Sequence, residues 1–170
     1  MPVVEKYGGN LDKIIGDGMM ILFGAPTAHE NDPELAVRAA LDMIETLNQF
    51  NVVHQTNLGI HFGINTGLVI AGGIGTRDKQ EYSVMGDPVN LASRLGDLSE
   101  RGQILVGPDT YRLTSSIFDY QEMKPIRVKG KAEPVTLYKV LGIKARPDSR
   151  RVARARGIRS PLVGREKEFA

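Results

Sequence analysis

The sequence predicts an α+β fold, a sheet covered by helices on one face. Three observations lead there. Apolar residues recur at helical spacing over 33–50 and 88–98. Short β-type runs lie between and around these helices. Several of those runs are joined by glycine-rich turns too short for a crossover, so they pair as hairpins.

The elements follow in order. Residues 11–15 and 19–23 are apolar runs around Gly16-Asp17-Gly18. They read as a β-hairpin with a three-residue turn and Asp17 at its tip. Asp32-Pro33 opens the next element, with proline suited to the first helical position. Ala36, Ala40, Met43, Leu47 and Phe50, with Val37, Leu41 and Ile44 beside them, predict an amphipathic helix over 33–50. Residues 58–64 alternate as a strand, and 68–71 form a second one through Asn65-Thr66-Gly67. The glycine-rich, charged stretch 72–80 reads as a loop, and 81–85 as a short strand. Over 88–98, Val89, Leu91, Ala92 and Leu95 recur at helical spacing. Residues 103–106 form a strand of the buried type, 109–113 a short helix. The runs 120–128 and 135–141 pair around the turn "KGKAEP".

The chain has 170 residues, enough to bury a real core in one domain. It contains no cysteine, which excludes disulfide and thiol chemistry and fits a reducing, cytoplasmic setting. No apolar run reaches the length of a membrane span. Its three histidines, His29, His54 and His61, lack metal-ligand spacing. The net charge of +2 conceals an asymmetry. Residues 143–170 carry nine Lys/Arg against three Asp/Glu, and residues 1–142 carry thirteen against seventeen. A folded, mildly acidic domain is therefore expected over 1–142 and a solvated basic linker over 143–160. Nucleic acid is not an expected partner. Residues 161–170, "PLVGREKEFA", turn apolar again, as at the start of another domain.

Two places could carry chemistry. Lys13 and Asp17 stand four residues apart in the apolar hairpin. Asp17 suits a turn for conformational reasons alone, or serves as a hard ligand for Mg²⁺. Lys13 is either a strand lysine reaching solvent or a buried donor. Asn90 and Arg94 share one face of the helix over 88–98, with Leu91 and Leu95 turned elsewhere. An amide and a guanidinium projected together suit a ribose and a phosphate, or merely a polar surface.

Together these stretches resemble the class III nucleotidyl cyclase catalytic domain, the adenylate and guanylate cyclase family. The resemblance rests on "KYGGNLDKIIGDGMMILFGAP", "HENDPELAVRAAL", "GIHFGINTGLVIAGGIGTRDKQEYSVMGDPVNLASRL" and "VKGKAEPVTLYKV", which come in the family's order and at its spacing. It is closest in character to bacterial cyclases of the soluble multidomain kind. It implies a ferredoxin-like domain that forms a homodimer with active sites at the interface. It implies a reaction in which the ribose 3′-hydroxyl attacks the α-phosphate of a nucleoside triphosphate and pyrophosphate leaves. Two ions, Mg²⁺ or Mn²⁺, assist at each site.

Carried over, Asp17 resembles one of the family's two metal aspartates, and Lys13 the base-selecting residue. A lysine there donates to adenine N1, whereas guanylate cyclases carry a glutamate. Ser83 matches the second base-contacting position, and its hydroxyl suits either base. Asn90 matches the asparagine that orients the ribose, and Arg94 the arginine that stabilises transition-state charge. The phosphate-binding lysine falls in "VKGK", with Lys129 preferred over Lys131. The resemblance implies ATP as substrate and cyclic AMP as product.

One departure matters. The family's other metal aspartate lies upstream, in a motif like Asp-x-x-Gly-Phe, and no aspartate precedes Asp12 here. The expectation is a chain lacking its N-terminal strand and incomplete for activity as given. "SPLVGREKEF" resembles the opening of an AAA-type or signalling ATPase domain. The competing reading is therefore a catalytically incomplete cyclase homology domain that acts as a nucleotide-binding or regulatory module of such an ATPase.

Overall fold

A computed structural model of the chain describes residues 2–25, 27–74, 81–128 and 133–145, with the backbone alone described for 70–74 and 81–85. The elements run α1 (Pro2–Lys6), β1 (Asn10–Ile15), β2 (Gly18–Leu22), α2 (Asp32–His54), β3 (Phe62–Ile64), β4 (Ile70–Ile74), β5 (Glu81–Met85), α3 (Asp87–Leu98), β6 (Ile104–Val106), α4 (Pro108–Thr114), β7 (Phe118–Glu122) and β8 (Tyr138–Ile143). The α+β class holds. The described strands form a four-stranded sheet in the order β3-β6-β8-β7 and two hairpins, β1-β2 and β4-β5. Strands β3 and β6 are parallel, and the other pairs are antiparallel.

Strand β6 organises the core. Ile104 and Val106 pack with Val37 and Ala40 of α2 and with Phe118 and Val140. Leu105, between them, packs on the opposite face with Leu91 and Leu95 of α3 and with Leu137. Helix coverage is thus not confined to one face as expected. An Ile-Leu-Val strand is apolar on both sides, and both must be withdrawn from water. Helix α3 lies close on β3, because a Cβ at Gly63 would fall on the Gly96 nitrogen and the Ala92 carbonyl oxygen. Its ends are held as well. Asn65 Nδ2 donates to Pro88 O over 3.1 Å, and Ser99 Oγ donates to Gly96 O over 2.8 Å.

Several boundaries differ from expectation for identifiable reasons. The first hairpin turns on two residues, since Gly18 already pairs with Ile15. Gly16 takes φ +63° and Asp17 does not have positive φ, as a type II′ turn requires. Helix α2 runs to His54, four residues further than the periodicity predicts, and stops at Gln55 in the left-handed conformation with φ 51°. Residues 58–61 are not strand. Asn51 Oδ1 accepts from Leu58 N over 2.9 Å, and Leu58 O accepts from Asn51 Nδ2 and Arg101 Nη2, so side chains occupy groups a ladder would need. Strand β4 starts later than expected and continues through Gly72-Gly73-Ile74, where a loop was expected, paired with Ser83, Tyr82 and Glu81. Between β7 and β8 the expected pairing is present, but regular strand ends at Glu122 and Tyr138, with one isolated bridge from Ile126 to Val135. Lys144 N still donates to Ile117 O over 2.9 Å, so the packed chain reaches one residue past β8.

Candidate active site

The hairpin is positioned through α1. Lys6 Nζ donates to Asp42 Oδ2 over 2.7 Å and Tyr7 OH to the same oxygen over 2.9 Å, which pins the start of the chain to α2. The Lys6 hydrogen bond, then that of Tyr7, holds the Asp42 carboxyl below the usual carboxylate range, and Asp42, then Tyr7, raises Lys6. Asn10 Nδ2 closes the far end of the hairpin by donating to Ala25 O over 2.7 Å. On this frame Asp17 stands exposed at the tip, as expected. Lys13 lies on β1 with its side chain 38% exposed, and its ammonium is 3.1 Å from Asp12 Oδ2. Asp12 is the residue that sequence reasoning passed over.

The second group lies on α3. Leu91 and Leu95 are buried, and Asn90 and Arg94 face solvent as the helical spacing predicts. Arg94 makes a loose ion pair with Asp97 at 3.8 Å, both side chains being largely exposed. A contact of that kind leaves the guanidinium available to a ligand. The hairpin and α3 pack against different neighbours: β1 against β2 and α1, α3 against β3, β5 and β6. Ser83 lies on β5 opposite Gly72, and its side chain is outside the described part. Lys129 and Lys131 fall outside the described residues.

Among the described residues no three or more His, Asp or Glu converge as a protein-only metal centre would require. Asp17 offers one hard oxygen donor group at an exposed position. That fits a Mg²⁺ held by few carboxylates together with substrate phosphates, which is how this ion is commonly bound.

Comparison with known proteins decides the family. The profile of the adenylate and guanylate cyclase catalytic domain matches residues 3–142. The chain belongs to the adenylate and guanylate cyclase family. The cyclase domain is 32% identical over 146 residues to an adenylate cyclase of Mycobacterium tuberculosis, covering 86% of this chain and 32% of that protein. Among solved structures, the adenylyl cyclase CyaB from P. aeruginosa is similar at 32% identity and TM-score 0.73, covering 85% of this chain and 77% of that one. The guanylyl cyclase Cya2 is similar at 31% identity and TM-score 0.74, covering 85% and 75%. The cyclase domain spans a third or less of the length of the first curated relatives it matches, between 7% and 32%. None of the described helices is long and apolar enough to cross a membrane.

Proposed function

We propose that this domain cyclises ATP to cyclic AMP and pyrophosphate at a site completed between two copies of the chain. The observation that carries the reading is the division of α3. One face is committed to the core through Leu91 and Leu95, while Asn90 and Arg94 are left at the surface. A helix so divided presents an amide and a guanidinium, from an anchored backbone, to a ligand outside. The exposed apolar residues of the hairpin, Leu11, Ile14, Ile15 and Met19, support its burial against a second copy.

In this reading Asn90 orients the ribose, so that the 3′-hydroxyl lies in line with the α-phosphate. Arg94 places positive charge where the transferring phosphoryl group gains negative charge. Lys13 donates to the adenine ring, Ser83 contacts the base, and Lys129 binds phosphate. Asp17 would hold divalent metal. Bound there, Mg²⁺ or Mn²⁺ would supply Lewis-acid charge neutralisation and lower the pKa of the attacking hydroxyl.

The test is steady-state kinetics on Arg94→Ala and Asn90→Ala in the full-length protein. Both should lower kcat more than they raise KM. A change confined to KM would make them ordinary binding residues. The alternative, a nucleotide-binding or regulatory homology domain fused to an ATPase, predicts no cyclic product.

A further inference from the structure

Strand β1 is irregular where it matters. Leu11 lies opposite Ile21 and Lys13 opposite Met20, so Asp12 is an extra residue without a partner on β2. In a regular strand, neighbouring side chains point to opposite faces. A bulge breaks that alternation and re-aims a side chain. Here it brings the Asp12 and Lys13 side chains to one side, with Oδ2 3.1 Å from Nζ. The Asp12 side chain is only 2% exposed, and its Oδ2 accepts no hydrogen bond of regular geometry. A carboxylate withdrawn from water in this way needs a nearby cation, and Lys13 is beside it.

We infer that Asp12 is a positioning residue for Lys13. Its carboxylate fixes the ammonium at the end of a flexible four-carbon stem and thereby sharpens the choice between adenine and guanine. An ammonium has three donors, and a contact to Asp12 uses one of them. Restricting the stem before the nucleotide arrives lowers the ordering cost of binding. The inference rests on the reading of Lys13 as a base contact, and the test separates the two.

The full-length protein is titrated with 3′-deoxy-ATP and 3′-deoxy-GTP, which lack the attacking hydroxyl, and the ratio of the two Kd values is the readout. Asp12→Asn should shrink the preference for adenine by roughly three- to tenfold, the range of one net hydrogen bond. Lys13→Ala should shrink it further, and adding Asp12→Asn to Lys13→Ala should change nothing more. A Tm measured beside each variant confines the reading to folded protein, and Asp12→Ser serves where the carboxamide is not tolerated. General loosening of the hairpin would weaken both nucleotides and leave the ratio alone. A ratio altered by Lys13→Ala but not by the Asp12 variants overturns the role of Asp12 only. So does an Asp12 effect that persists without Lys13. A ratio indifferent to Lys13→Ala, or binding of neither nucleotide, overturns both readings.

Discussion

On α3, Leu91 and Leu95 are 5% and 0% exposed, while Asn90 and Arg94 face solvent. On the β1–β2 hairpin the pattern inverts: Ile14 and Ile15 are 66% and 65% exposed, and a carboxylate, Asp12, is what lies buried. The helix is finished within one chain, with its apolar side spent on Leu105 and Leu137. The hairpin displays apolar surface and buries one carboxylate, while Asp17 stays exposed at its tip. Residues of one proposed site can therefore rest on supports of very different stability.

That contrast can be broken from several directions. Leu95→Ala removes a side chain with no exposure, and it should cost about 2.7–5 kcal/mol of stability, read as a fall in Tm. Arg94→Ala, one residue away, should leave Tm nearly unchanged and cost about 2.7–4 kcal/mol in transition-state stabilisation, read as kcat/KM. Lys13→Glu should lower the ratio of ATP to GTP turnover by one to two orders of magnitude, about 1–3 kcal/mol for an unpaired buried group. Ile14→Ser should change the stability of the isolated chain by less than about 0.5 kcal/mol, since the side chain is already in water, yet should weaken self-association. The smallest effect concerns the anchor of the hairpin. The pKa of Asp42 is lowered in the fold, so its contribution is present above the ordinary carboxylate value and is lost as pH falls through the lower folded value. Asp42→Asn should flatten that acid limb of a Tm-against-pH curve.

Helix α3 was legible because a period of 3.6 separates the two faces without reference to anything else, and Asn90 and Arg94 lie where it puts them. Strand β5 was legible too, from its β-type run alone. The hairpin was legible as a pair of strands, but not its bulge. The alternation rule places Asp12 and Lys13 on opposite faces, and only the register shift brings them together. Residues 58–61 misled for a related reason: their alternation is strand-like, but the side chains of Asn51 and Arg101 take the backbone groups of Leu58. Coverage of both faces of β6 was implicit in three consecutive apolar residues, yet which helix covers which side depends on the path of the chain.

The most direct measurement is the cyclic product formed by the full-length protein from equimolar ATP and GTP with Mg²⁺, beside its Arg94→Ala variant. Cyclic AMP should exceed cyclic GMP by one to two orders of magnitude, about 1–3 kcal/mol of discrimination, and should all but vanish in the variant. Cyclic GMP as the main product, or a variant as active as the native protein, would contradict the assignment of Lys13 or of Arg94 respectively.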